Sequence, residues 1–254
     1  MTELFDLTGK IAIVTGGGGG IGGALAKGLA RHGADVVVTS RNMENLEPVA
    51  EEIRSLGKRS FAITSDVTSE KSVADMVDKV VKEYARIDIL VNSAGVAIRS
   101  SAEEISIDDF RKVMEFNAIG TFICCQAVGR VMIKQNGGRI INLSSIRGIY
   151  GAPGGMAYGP SKSAVDAITR NLAVEWGKYN ICVNGIAPNL ILTALTKSLL
   201  TPEKIKAMTA TIPLHRMAET KEMVGAVIFL ASEASAFMTG QTLHLDGGMT
   251  AGTV

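Results

Sequence analysis

Five consecutive glycines, residues 16–20, separate a short apolar run from a helical stretch, and few folds accept such a junction. Ile11–Thr15 reads as a buried strand, and residues 21–32 read as a helix with Gly33 placed to close it. A strand that stops at glycine and re-enters as a helix presents bare backbone N–H groups at the positive end of the helix axis. An anion can then approach with no Cβ in its way. The run satisfies G-x-G-x-x-G in a trivial register, so the strand–glycine–helix context carries more weight than the pattern. A flexible glycine turn is the plain alternative. The Gly-Lys-Ser/Thr ending of a P-loop is missing, which removes that class.

The rest of the chain repeats the same alternation. Asp35–Ser40, Ser60–Thr64 and residues 87–92, 139–143, 182–186 and 241–245 read as strands. Residues 45–56, Glu70–Tyr84, 107–135, 156–179 and 219–230 read as helices. Strands built from β-branched residues with no polar alternation are buried on both faces, the mark of a parallel sheet covered by helices. No linker or repeat divides the 254 residues, so the expected fold is one α/β domain: a doubly wound, mostly parallel seven-stranded sheet spanning 1–254. Ligands of such sheets bind beyond the carboxyl ends of the strands. The glycine cluster, Asn92, Ser145 and Pro188 all fall on that rim.

Composition excludes several functions. Apolar residues make up 46% and charged residues 20%, and a net charge of +1 gives no bulk field to draw nucleic acid or an anionic membrane. No secretory pattern opens the sequence and no run of eighteen apolar residues is expected to span a bilayer, so a cytoplasmic protein is expected. Cys124, Cys125 and Cys182 offer neither a metal spacing nor a disulfide framework, and no metal is expected.

Tyr158 and Lys162 supply the chemistry. Four residues apart on a helix, they share a face. A tyrosine hydroxyl titrates near 10, and a neighbouring ammonium draws it toward the working range. Ser145 can add a neutral hydrogen bond to the same substrate oxygen, so the three can move a proton on and off a carbonyl while another group carries the hydride. By itself a Y-x-x-x-K match more often marks a packed ring and a solvated lysine. At the end of the second strand Ser40-Arg41-Asn42 stands where an acidic residue would hold a ribose 2′-hydroxyl. Arg41 can pair with a 2′-phosphate and Ser40 and Asn42 can donate to it, which favours NADP(H) over NAD(H).

Assembled in this order, the motifs resemble the short-chain dehydrogenase/reductase family, loosely nearest its gluconate 5-dehydrogenase-like and 3-oxoacyl-carrier-protein reductase-like members. The resemblance rests on the Thr15–glycine run, Asp66-Val67, Asn92-Ser93-Ala94-Gly95, Asn117, Ser145, Tyr158, Lys162 and Asn184-Gly185-Ile186-Ala187-Pro188. It implies a Rossmann fold and a dehydrogenase or carbonyl reductase. Thr15, Gly16, Gly20, Ile21 and Gly22 would border the pyrophosphate, Asp66 and Val67 the adenine, and Asn92 and Gly95 the adenosine side. Ser145 would polarise the carbonyl, Tyr158 would donate the proton, and Lys162 would hold the nicotinamide ribose. Asn117 would position a water leading from Lys162 to solvent. Pro188, Ile191 and Thr193 would meet the nicotinamide. Asn189 replaces a usual glycine, where a positive φ is expected and asparagine tolerates it.

Substrate specificity falls to other residues. Arg99 and Arg147 lie on rim loops and can together hold an anion such as a sugar-acid carboxylate; surface solvation is the plain alternative. Residues 190–213 are expected to form a lid, with Leu195, Leu199, Leu200, Met208 and Ile212 lining or packing it. A 3-oxoacyl thioester is the alternative substrate. A non-catalytic dinucleotide-binding protein, or an isomerase on the same fold, is disfavoured by the intact tyrosine and lysine. The resemblance further implies a homotetramer or homodimer joined through residues 237–248.

Overall fold

In the computed structural model, residues 3–193 and 200–252 are described. The first half runs β1 (Ile11–Thr15), α1 (Gly20–Arg31), β2 (Asp35–Ser40), α2 (Met43–Ser55), β3 (Ser60–Thr64), α3 (Glu70–Tyr84) and β4 (Ile89–Asn92). The second half runs α4 (Ile107–Met114), α5 (Gly120–Gln135), β5 (Gly138–Leu143), α6 (Tyr158–Trp176) and β6 (Ile181–Pro188). After these come β7 (Ile191–Leu192), α7 (Pro202–Thr209), β8 (Ala218–Glu219), α8 (Val224–Ala231) and β9 (Thr242–Leu245).

Seven strands form one sheet in the order β3-β2-β1-β4-β5-β6-β9, and every pairing is parallel. The order reverses between β1 and β4, and the crevice at that switch point is the ligand site of doubly wound sheets. Successive strand residues point to opposite faces. Ala12, Val14, Val36 and Val38 therefore join a core with α1, α2 and α8, while Ile11, Ile13 and Val37 join a second core with α3, α5 and α6. Both faces being covered explains the unbroken apolar runs.

The structure departs from expectation in three places. The helix read over Ile107–Gln135 is interrupted at Glu115–Ile119 by a π-helical turn, which carries Asn117. That whole run has the length and apolar content of a membrane span, contrary to expectation, but half of its most apolar window is buried in this fold. The second departure is a two-stranded parallel ribbon, β7 with β8, which pins both ends of the lid region. Its strands of two residues are too short to leave a periodic signal. Leu195 and Leu199 lie outside the described residues. Third, Asn189 is not among the described residues with positive φ, which are Ala85, Asn136, Asn180 and His215 besides glycines. Asparagine serves another purpose there: Nδ2 donates to Asp246 O at 3.3 Å and lies 3.1 Å from Met249 Sδ, tying β6 to the C-terminal segment.

Candidate active site

The glycine loop is shaped by contacts that exclude side chains. Gly16 has φ 65°, and a Cβ there would sit 2.9 Å from Ala94 Cα. At Gly22 a Cβ would come within 2.3 Å of Gly16 O, so the loop folds directly onto the first turn of α1. Gly19 caps α1 without a side-chain bond, leaving the first-turn N–H groups for an external acceptor. Thr15 Oγ1 accepts from Ser93 N (3.1 Å) and Ala94 N (3.2 Å), which clamps the loop after β1 to the loop after β4. Thr193 Cγ2 lies 4.0 Å from where a Gly20 Cβ would be, so the segment after β7 faces the glycine loop. A cradle that Cβ atoms would fill, at an uncapped helix start, fits a dinucleotide pyrophosphate.

At the end of β2, Ser40 Oγ donates to Asn42 O (3.3 Å), and Asn42 Oδ1 accepts from Glu44 N to cap α2. Ser40 Oγ is thus engaged locally, while Asn42 caps through its acceptor Oδ1 and not through Nδ2, the donor expected to meet a 2′-phosphate. Arg41 remains exposed over the Phe116 ring, 5.1 Å from its centroid. Across the crevice Asp66 Oδ1 accepts from Thr68 N and Oγ1, and these bonds, with smaller help from Arg41, hold its carboxyl below the usual range. Val67 is buried against Gly120.

Asn92 is 4% exposed and its side chain works inside the protein: Nδ2 donates to Asn142 Oδ1 at 2.9 Å and approaches Cys125 Sγ at 3.2 Å. Asn142 passes the chain on to Thr169 Oγ1, at 2.9 Å. Burial pushes the Cys124 thiol up to about 12 and Cys125 higher still, so both are inert packing groups. Asn117 spends its amide on the Val96 backbone, accepting from N at 2.8 Å and donating to O at 2.9 Å, with Ser161 Oγ at 3.0 Å. It fixes the loop bearing Gly95 to the start of α6. The site of a Gly95 Cβ would lie 3.6 Å from Asn117 Oδ1 and 3.7 Å from Lys162 Nζ.

Ser145 sits at the end of β5 and caps the 3₁₀ turn Ile146–Gly148, its Oγ accepting from Arg147 N at 3.2 Å. The same Oγ lies 3.4 Å from Pro188 O. Tyr158 opens α6. Burial raises its hydroxyl above the ordinary tyrosine value, against the opposing pull of a hydrogen bond with Ser145 and of the nearby Arg147. Lys162, 4% exposed, has Nζ 5.7 Å from the Tyr158 ring centroid and donates to Leu143 O at 2.7 Å. Burial brings its own pKa down to about 8, opposed by Asp166.

Ser145 and Tyr158 open into a cavity of about 430 Å³, which Arg99 and Arg147 also line. Asn189, Leu190 and Met208 close one side and residues 152–155 the other. An isolated bridge between Ser100 and Gly155 joins the two rim loops. A tyrosine, a serine and two arginines thus line one cavity, with Arg147 Nη1 also donating to Gly151 O at 3.3 Å.

The family described as enoyl-(acyl carrier protein) reductase matches residues 16–250. A gluconate 5-dehydrogenase of Gluconobacter oxydans is 38% identical over 249 residues, covering 98% of this chain and 97% of that one. The chain belongs to the short-chain dehydrogenase/reductase family. It is an oxidoreductase acting on alcohols and carbonyl compounds. Within the family, a 3-oxoacyl-[acyl-carrier-protein] reductase of Thermotoga maritima is 37% identical, with 96% of this chain and 98% of the relative covered. A gluconate 5-dehydrogenase of Burkholderia cenocepacia in complex with NADP and tartrate superposes with a TM-score of 0.94 at 36% identity, over 98% of each chain.

Several contributors to the site escaped the sequence reading. Leu143 supplies a carbonyl and Val96 a backbone amide, and neither role leaves a side-chain signature. Ser161 and Thr169 are polar residues on the inner face of α6. Asp166 had a legible signal, a carboxylate one helical turn after Lys162.

Proposed function

We propose that this chain is an NADP(H)-dependent dehydrogenase/reductase for an anionic hydroxy or keto substrate, a sugar acid being the best fit. The observation that carries this reading is the placement of Arg99 and Arg147 in the same cavity as Ser145 and Tyr158. Two guanidinium groups grip a carboxylate with directed, charge-assisted bonds, leaving the carbon to be reduced near the tyrosine. The related gluconate dehydrogenases, one of them in complex with NADP and tartrate, support the same substrate class.

The dinucleotide, when bound, donates or accepts the hydride. Thr15, Gly16, Gly20, Ile21 and Gly22 would hold its pyrophosphate and Arg41 its 2′-phosphate, with Asp66, Val67, Asn92 and Gly95 on the adenosine side. Pro188, Ile191 and Thr193 would border the nicotinamide. Ser145 orients the substrate oxygen, Tyr158 gives it a proton during reduction, and Lys162 holds the ribose hydroxyls. Asn117 keeps the Gly95 loop against Lys162 and would position a water leading from Lys162 to solvent.

A second reading, 3-oxoacyl thioester reduction, draws on the Thermotoga relative. It also draws on an adjoining cleft of about 760 Å³ that shares Arg147 and residues 152–155 with the cavity. A panel of sugar acids, neutral polyols and acyl thioesters, followed by NADPH absorbance, separates the two. Sugar-acid turnover well above that of the matched polyols supports the first reading, and a thioester preference supports the second. We place the enzyme in the cytoplasm as a homotetramer or homodimer; exposed Phe237 and Val174 supply apolar surface for the contact.

A further inference from the structure

One buried ionisable group has no part in the reading above. Asp166 lies on α6 one turn beyond Lys162 and is 6% exposed. Residues four apart share a helix face, so both lie on the buried side of α6, with Lys162 Nζ donating to Leu143 O and Asp166 accepting from β9. Carboxylates are almost never this buried unless something compensates the charge. Thr242 Oγ1 on β9 donates to Asp166 Oδ1 at 3.0 Å. On the other side, a Cβ at Gly148 would sit 2.7 Å from Oδ2, so the carboxylate presses on the short turn that Ser145 caps. Asp166 therefore lies against the support of Ser145, one helical turn from Lys162.

Among the described residues, Arg170 lies one turn further along α6 but is exposed, which leaves Lys162 as the buried cation of this helix. Tyr158 shares α6 and Arg147 lies on the Ile146–Gly148 turn; β5 and the π turn present Leu143 O and the Asn117 amide. β9 presents Thr242, with His244 exposed, and the charged residues of α4 and α5 are largely exposed to solvent. Desolvation works against a protonated Lys162, and the carboxylate at position 166 opposes it.

We propose that Asp166 is a positioning residue of the proton relay, the buried counter-charge that keeps Lys162 protonated while bracing the Ser145 turn through Gly148. This rests on the reading of Lys162 as the cation that holds the dinucleotide ribose. Asn at this position keeps the shape and the bond from Thr242 and removes only the charge.

The test is NADPH binding by fluorescence titration between about pH 6 and pH 10. Wild-type affinity falls as Lys162 loses its proton near 8. In Asp166→Asn the fall begins about one pH unit lower, the order expected for losing one nearby opposite charge in a partly buried site. Thr242→Val, which removes the hydrogen bond and keeps the charge, leaves the fall at the wild-type pH. An Asp166→Asn curve superposing on wild type overturns the proposal. Where Asp166→Asn alone does not fold, the neutral pair Lys162→Met/Asp166→Asn recovers a cooperative melt; failure to recover it overturns the counter-charge role. Lys162→Met distinguishes the two levels of the argument. If it binds NADPH like wild type at every pH, the reading of Lys162 itself is lost; a normal Lys162 effect with an unmoved Asp166→Asn curve removes only Asp166.

Discussion

Lys162 donates from Nζ to the carbonyl oxygen of Leu143 at 2.7 Å, so the ammonium of the tyrosine–lysine pair is fastened to the end of β5. This bond fixes the position of the amine in the fold. Burial depresses its pKa to about 8, which means that the folded state binds that proton less tightly than the unfolded chain does. Between about 8 and the ordinary lysine value near 10.4 the unfolded state carries more protons, so this residue's contribution makes stability rise with pH across that window. Chemical denaturation at several pH values should show wild type gaining on Lys162→Met from pH 8 to 10, by at most on the order of 3 kcal/mol. A difference that is flat in pH would place the lysine proton elsewhere.

Tyr158 is shifted in the opposite sense. Its hydroxyl is raised by burial, so it stays protonated at neutral pH and is ready to serve as the acid in reduction. Alcohol oxidation needs the phenolate, and its rate should climb with pH well into the alkaline range. Arg147→Ala removes a cation that favours the phenolate and should carry that climb to higher pH. An oxidation profile level from neutral to alkaline pH would contradict the assignment.

The two arginines of the cavity should separate by kinetics. Arg99→Ala should raise KM for an anionic substrate roughly 10- to 100-fold, the worth of a charge-assisted bond, and leave the pH profile in place. Arg147→Ala should raise KM and move the profile together. Unaltered kinetics of Arg99→Ala on the best anionic substrate would end its role as an anchor.

Much of this site was legible because its parts stand at strand ends. The strands Ile11–Thr15, Asp35–Ser40 and Ser60–Thr64 follow from β-branched runs bounded by glycine or polar residues, and those boundaries carry Thr15, Arg41 and Asp66 to one rim. Local patterns did not show which way side chains turn. Ser40 and Asn42 have the right chemistry for a phosphate and also bond to the chain around them, Asn42 through Oδ1, because capping α2 satisfies a nearby backbone N–H. The π turn at Asn117 also left no trace, since a single extra residue in a helix barely changes the apolar period.

Arg41 is the charged group at this strand end, so cofactor choice should respond most strongly to it. Arg41→Asp should reverse the preference from NADP(H) to NAD(H), with the NADPH affinity falling roughly 10- to 100-fold. The measurement is kcat/KM for both cofactors with one substrate. An unchanged ratio would remove Arg41 from the account.

The central claim is that Tyr158 moves the proton, and the most direct measurement is turnover by Tyr158→Phe alongside its NADPH affinity. The ring and its packing survive in this variant and only the hydroxyl is lost. The expected result is a rate lowered by roughly 10²–10⁴ with NADPH binding held within a few-fold of wild type. Retention of more than about a tenth of the wild-type rate would contradict the claim.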